Sequence, residues 1–341
     1  MKAIVKTKRS VGAELKSIKE PQIGPTDVLL EMKAAAICGA DIYIYFWTKQ
    51  ALGFNIPIPL VFGHEMSGEV VDVGKDVDTL RKGDRVAVET HIPCKKCRLC
   101  HEGNMHICRN LKIFGIHVDG AFSEFNSVPE ICAYKIPDNV SFEEAALFEP
   151  LGVGIHAVTV SGLKIGDTVA VLGCGPIGLS IIAAARESGA TKIIASAVHG
   201  FRRELAKKMG ATSVLDGRNI DNIDDITNGE GVNIVFETSG SMSALHQAFE
   251  MIKIHGKIVV VGVQPEPVAV DYYKNVIGKE AIVIGSYGRL MWDTWTRVSN
   301  IVSEARIDVK SFITHRIYLK DMKKAFDIAK QKECGKILLL P

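Results

Sequence analysis

The spacing of apolar and polar positions changes along the chain. Up to about residue 35, short apolar runs alternate with turns such as Pro21-Gln22-Ile23-Gly24-Pro25, a pattern of β-hairpins rather than helices. An apolar run at 28–37 leads to Cys38, where the strand pattern gives way to a helix or loop. Residues 69–73 alternate as a strand, and the turn Lys82-Gly83-Asp84 feeds another at 85–88. A short helix is predicted over 142–148, which puts Glu149 where a helix ends and a new element begins. From residue 164 strands and helices alternate. The strands fall at 168–172, 192–196, 213–215, 232–237, 257–262 and 281–285, and helices at 179–188, 203–209 and 244–254 lie among them. These are six strands of a doubly wound parallel sheet. From about Tyr287 the alternation stops, leaving amphipathic helices at 291–305 and 320–331 and a closing strand at 336–340. The pattern predicts an α/β chain with a β-rich domain at 1–152, a nucleotide-binding type of sheet at 153–288 and a segment at 289–341 that returns to the first domain. No repeat, low-complexity tract or linker separates the domains, so a cleft between them is the expected ligand site.

With 341 residues the chain is long enough for two sizeable cores, and 47% of it is hydrophobic. A net charge of +2 gives no reason to expect nucleic acid or an acidic membrane surface as a partner. The apolar stretch 169–185 is too short to span a bilayer and is broken by Gly173, Gly175, Pro176 and Gly178. The opening Met1-Lys2-Ala3-Ile4-Val5-Lys6 reads as a strand and lacks the apolar core of a signal peptide. Eight cysteines are present, four of them within residues 94–108. That clustering fits metal ligation in a reducing cytosol better than a disulfide framework, so a cytoplasmic protein is expected.

Three groups of residues carry chemistry. Cys38 with Gly63-His64-Glu65 offers a thiolate, an imidazole and a carboxylate, the ligand types of an open catalytic zinc site. Cys94, Cys97, Cys100 and Cys108 have two, two and seven residues between them and can close a tetrahedral shell around a structural zinc. An iron–sulfur cluster is the alternative for four such thiolates, whereas disulfides between residues only three apart would be strained. His101 and His106 in this lobe read as exposed bystanders. The third group is Gly173-Cys174-Gly175-Pro176-Ile177-Gly178, which lies between a predicted strand and a predicted helix. In that context the glycines permit a tight turn and the approach of a dinucleotide pyrophosphate to a helix N-terminus. An acidic residue about twenty positions further on would hold the ribose of NAD, and here Ala197 takes that place. Ser196, His199, Arg202 and Arg203 are available for a 2′-phosphate, which favours NADP over NAD. The alternative is that Arg202 and Arg203 merely open the next helix.

Taken together, these motifs resemble the zinc-dependent medium-chain dehydrogenases over the whole chain. Within them the chain is most similar to the L-threonine 3-dehydrogenases, with sorbitol and other polyol dehydrogenases next. The resemblance rests on Ala36-Ile37-Cys38-Gly39, Gly63-His64-Glu65, the lobe 91–108, Glu149-Pro150, the glycine turn 173–178, Tyr287-Gly288-Arg289 and Ile313-Thr314-His315-Arg316. It implies a GroES-like catalytic domain beside a Rossmann domain, and two zinc ions per chain. The catalytic zinc would be held by Cys38, His64 and Glu65, with Glu149 as a fourth ligand or as a carboxylate that exchanges with substrate. His91, Ser286 and Tyr287 would border the substrate and nicotinamide, and Val261-Gly262-Val263 would run under the nicotinamide. The implied reaction oxidises a secondary alcohol to a ketone by hydride transfer to NAD(P)⁺, and the implied assembly is a homotetramer.

One departure from the family bears on chemistry. Relatives follow the zinc cysteine with Gly-Thr (or Ser)-Asp and place a His two residues later, a relay for the alcohol proton. Here Ala40 and Tyr43 stand at those positions. Such proton help contributes about 10²- to 10⁴-fold, so Tyr43, Glu149 or a water beside Ala40 has to replace it. A wider pocket at Ala40 also suits a polyol or 2,3-diol dehydrogenase or a carbonyl reductase. A non-catalytic zinc and dinucleotide-binding redox sensor is the reading from another class.

Overall fold

The N-terminal alternation resolves into one hairpin and one long strand. Lys2–Lys6 pairs antiparallel with Glu14–Ser17, and Asp27–Ala36 pairs antiparallel with both Glu65–Val73 and Phe125–Pro129. Val28, Leu30, Met32 and Ala34 alternate into the core with no exposure. The computed structural model describes residues 1–220 and 222–341. They form two units, one of Met1–Glu149, Leu290–Ala305 and Ile313–Pro341, the other of Pro150–Arg289 and Arg306–Phe312.

The first unit is built on a seven-stranded sheet in which Asp27–Ala36 lies between Glu65–Val73 and the C-terminal strand Lys336–Leu340. Phe62, Phe122 and Phe326 meet in its core, and Tyr45 stacks on Phe326 with ring centroids 4.1 Å apart. The C-terminal segment departs from expectation, because strand–helix alternation does not end at Tyr287. Ile313–Tyr318, the helix Met322–Gln331 and Lys336–Leu340 form a further β-α-β unit with parallel strands. Polar Thr314, His315 and Arg316 interrupt the apolar positions of this edge strand, the first two half-buried and the last exposed, so its sequence does not read as apolar.

The second unit is a parallel sheet with the order Ser213–Asp216, Lys192–Ala197, Thr168–Leu172, Val232–Glu237, Ile252–Val260, Ile282–Gly285. This is the doubly wound order of dinucleotide-binding folds. The helix expected to reach 254 stops at Met251, and Ile252 is already extended at the head of the next strand. Ile252 and Ile254 continue the helical apolar spacing, but pairing with Val232 claims Ile252 for the sheet. The short helix expected at 142–148 is Phe142–Ala145, and a longer one runs over Phe148–Ser161. Glu149 therefore sits in the first turn of a helix, where its charge suits the positive end of the dipole. Among the described residues no helix is long and apolar enough to cross a membrane.

Candidate active site

Cys38 stands at the N-terminus of the helix Gly39–Phe46, just past the end of Asp27–Ala36. Pairing of that strand with Glu65–Val73 sets Ala36 opposite Glu65, which brings Cys38, His64 and Glu65 together. Their ligand atoms lie within 4.8 Å of one another. His64 and Glu65 are buried, as is Glu149, which is close enough to raise the Glu65 carboxyl. A thiolate, an imidazole and a carboxylate converging in a buried space suit zinc.

The surroundings of these donors are charged. Asp41, wholly buried, accepts the Cys38 backbone N–H at 2.8 Å and places its other oxygen 3.4 Å from His64 Nδ1. Burial lowers the His64 imidazole, but Asp41 and the Cys38 sulfur outweigh it and hold the group well above its ordinary value. Lys336 is buried against Glu65, its Nζ 2.5 Å from Oε1 and also bonded to Oε2, and it donates to the Ile37 carbonyl at 3.2 Å. Burial pushes the Glu65 carboxyl up to about 7 against the pull of Lys336. Lys336 itself is raised, because Glu65 and Cys38 overcome its own desolvation. Tyr43, half-buried on the Cys38 helix, has its phenol raised by burial and then by the Cys38 charge, which places it beside the donor set. Ala40 packs against the core.

His91 is buried in the strand His91–Ile92 and held by Glu89. Glu89 Oε1 accepts the His91 backbone N–H at 2.8 Å and lies 2.7 Å from its Nδ1, while Oε2 accepts the Trp295 indole N–H at 2.6 Å.

In the four-cysteine lobe, Cys97 Sγ lies 3.5 Å from Cys100 Sγ and 3.8 Å from Cys108 Sγ. Zinc–sulfur bonds of about 2.3 Å give tetrahedral edges of about 3.8 Å, so the spacing fits a metal and is far too long for disulfides. Backbone N–H groups, led by that of Lys96, pull Cys94 down to about 6, while burial pushes Cys100 up to about 12. His101 is exposed as expected, but His106 is buried in the short helix Met105–Ile107. Cys108, two residues on, is buried as well, so the turn that carries the fourth cysteine inward takes His106 with it.

In the second unit, Gly173 takes φ +101° and its carbonyl lies 1.8 Å from where a Gly178 Cβ would stand, so both positions require glycine. Gly175 caps the helix Pro176–Glu187, with Pro176 and Ile177 in its first turn. A Cβ on Gly175 would meet only Arg202 Nη1, at 3.6 Å, which leaves a cradle for a pyrophosphate at the helix N-terminus. Ser196 and Ala197 end the strand Lys192–Ala197, His199 caps the helix Gly200–Met209, and Arg203 Nη1 donates to the Ala197 and Val198 carbonyls at 2.6 and 2.9 Å. Val261, Gly262 and Val263 follow the strand Ile252–Val260, and Ser286 and Tyr287 follow Ile282–Gly285, all at the carboxyl edge where such sheets bind ligands.

Residues 24–138 match the alcohol dehydrogenase GroES-like domain and residues 176–304 the zinc-binding dehydrogenase domain. The chain is 39% identical to the L-threonine 3-dehydrogenase of Bacillus licheniformis, over 100% of this chain and 99% of that one. The chain belongs to the zinc-dependent medium-chain alcohol dehydrogenases. Among solved structures, a zinc-binding dehydrogenase from Sinorhizobium meliloti bound to NADP has a TM-score of 0.91 at 31% identity, covering 100% of this chain and 99% of that one. The 2R,3R-butanediol dehydrogenase of Bacillus subtilis has a TM-score of 0.90 at 33% identity, with the same coverage. This dehydrogenase is thus an NAD(P)-linked enzyme acting on a small-molecule alcohol, which sets aside the non-catalytic sensor.

Several residues of the dehydrogenase's site escaped the motif reading. Asp41 and Lys336 flank the metal donors, and Glu89 and Trp295 hold His91. Glu237 ties together the loops that follow two neighbouring strands, accepting Ser239 and Gly240 N–H groups at 2.8 and 3.0 Å and the Gln264 amide at 2.9 Å. Asp41, three residues after Cys38, carried a local signal as a helix-capping carboxylate. The others come together only through tertiary pairing.

Proposed function

We propose that this enzyme oxidises a secondary alcohol of the L-threonine type to its ketone, with NADP as the preferred acceptor and two zinc ions per chain. The observation that carries the reading is the buried meeting of Cys38, His64 and Glu65 backed by Asp41 and Lys336. The threonine assignment is supported by 39% identity to the B. licheniformis enzyme across the whole chain. The four-cysteine lobe would hold the second, structural zinc.

When bound, zinc would supply Lewis-acid polarisation of the alcohol oxygen and the dinucleotide would supply a hydride acceptor. Cys38 and His64 would hold the metal, and Asp41 aims the imidazole from behind. Lys336 occupies both oxygens of Glu65 and restrains that carboxylate, and Glu149 would join the donors as a fourth ligand or as a carboxylate that exchanges with substrate. Glu149 would receive the alcohol proton, directly or passed through the Tyr43 hydroxyl, in place of the relay lost at Ala40. His91, oriented by Glu89, would bind a polar group of the substrate. A homotetramer is favoured by apolar side chains left exposed on and near the edge strand Ile282–Gly285, including Ile282, Val283, Tyr273 and Ile277. Unbridged cysteines suit a cytoplasmic setting.

A second reading, a 2,3-diol or polyol dehydrogenase, is favoured by the small side chain of Ala40 and the likeness to the B. subtilis butanediol enzyme. Initial rates with L-threonine, 2,3-butanediol and sorbitol, each with NAD⁺ and NADP⁺, separate the two. The primary reading requires threonine to be turned over fastest and NADP⁺ to be the better acceptor. Faster turnover of butanediol or sorbitol establishes the second reading, and faster rates with NAD⁺ overturn the cofactor assignment.

A further inference from the structure

The adenosine end of the nucleotide site contains a charged group that sequence order hides. Parallel register sets Ala197 beside Asp216, the last residue of Ser213–Asp216. A carboxylate missing at position 197 is therefore present on the neighbouring strand. Asp216 Oδ2 lies 3.3 Å from Arg203 Nη1 and 3.3 Å from Arg218 Nη1, while Oδ1 accepts the Arg218 backbone N–H at 3.0 Å. That backbone hydrogen bond, with the two guanidiniums, holds Asp216 below the usual carboxylate range. Gly217 keeps the turn tight, since a Cβ there would lie 3.3 Å from both Ser196 Oγ and Val198 N.

The two arginines are held differently. Arg203 is tied to the Ala197 and Val198 carbonyls as well, and its side chain is 24% exposed, whereas that of Arg218 is 68% exposed. Charge-assisted hydrogen bonds run at about 2.7–2.9 Å, so both arginine contacts to Asp216 are slack. Two guanidiniums thus face one carboxylate. A ribose hydroxyl recognised by Asp216 would call for an open carboxylate, yet its oxygens already take three donors. The surplus positive charge suits a second, stronger anion.

We propose that Arg203 and Arg218 form the clamp for the 2′-phosphate of NADP, with Asp216 as the competing anion that occupies both guanidiniums until the phosphate displaces it. Arg218 is the specificity-determining member, on the loop beyond the third strand of the sheet rather than in the segment 196–203. The clamp rests on the NADP assignment made above and extends it to a residue and a mechanism of selection.

Calorimetric binding of 2′,5′-ADP and 5′-AMP to zinc-replete protein tests it, because the two probes differ only in the 2′-phosphate. The wild type binds 2′,5′-ADP more tightly. Arg218→Ala weakens 2′,5′-ADP by about tenfold or more, the worth of one charged hydrogen bond, and leaves 5′-AMP unchanged. Arg218→Lys recovers part of the loss, since charge survives without the planar fork. Asp216→Asn, which removes the competing charge, tightens 2′,5′-ADP. Loss of both probes together in Arg218→Ala, or of neither, overturns the clamp while NADP remains the cofactor; weaker 2′,5′-ADP binding in Asp216→Asn overturns the role of the carboxylate. Equal affinity of the wild type for the two probes overturns the NADP assignment and the clamp with it.

Discussion

The two metal donor sets differ in how the chain assembles them. The four-cysteine lobe is local: its ligands fall within residues 94–108, on the short helix Arg98–His101 and the turns around it, and backbone N–H groups are the chief partners of the sulfurs. The Cys38 set is assembled from distant parts of the chain, with residues 38, 64, 65, 149 and 336 drawn together by sheet pairing and surrounded by buried charge. A local cluster of soft ligands around a closed shell can hold a metal inertly. An open set lined with Asp41, Lys336 and Glu149 has groups that can orient a ligand and move a proton.

The contrast is broken most severely at His64. His64→Ala should lower kcat by about a thousandfold or more, the several kcal/mol that Lewis-acid polarisation supplies, while the circular dichroism spectrum stays native. Next comes the buried pair. Lys336→Met should destabilise the protein by about 3–5 kcal/mol in urea, because Glu65 is left as a buried charge. The double variant Lys336→Met/Glu65→Gln should recover most of that loss. An unchanged urea midpoint in Lys336→Met would show that the pair is not the counter-charge described here.

The same contrast explains what could be read from the sequence. The lobe and the glycine turn were legible because spacing alone defines them; no partner outside the motif is needed. Six strands of the nucleotide-binding sheet were legible for a similar reason, since their buried β-branched runs repeat between helices. Lys336 was not legible. It sits in an apolar closing strand, and only the antiparallel pairing of that strand with Asp27–Ala36 carries it to Glu65. Glu89 and Trp295 are 206 positions apart in sequence, and nothing local links them. Ile313–Tyr318 was missed because an edge strand interrupted by polar residues has no clear apolar period, and Asp216 because only strand pairing sets it beside Ala197, nineteen positions earlier in the chain.

Smaller effects sharpen the comparison. Asp41→Asn keeps a hydrogen bond to the Cys38 backbone but removes the charge facing His64. It should weaken zinc retention at the open set by about 10- to 100-fold in chelator competition, the usual cost of losing a partner behind a metal-binding histidine. The lobe should release its metal as in the wild type. Smallest is Glu89→Gln, which keeps one acceptor oxygen, turns the other into an amide donor facing His91 or the Trp295 indole N–H, and removes the charge behind the imidazole. It should raise the substrate KM several-fold while kcat holds, and a fall in kcat alone would place His91 in the chemical step instead of in binding.

The division of labour between the two sets is tested most directly by zinc content, measured by plasma mass spectrometry on purified wild type, Cys38→Ser and Cys97→Ser, with turnover and melting temperature recorded on the same samples. The account predicts two zinc ions per chain in the wild type and one in each variant. Cys38→Ser should lose turnover and melt as the wild type does, while Cys97→Ser should melt lower and keep turnover in its folded fraction. Full zinc content or undiminished turnover in Cys38→Ser would contradict the assignment of Cys38, His64 and Glu65 as the catalytic centre.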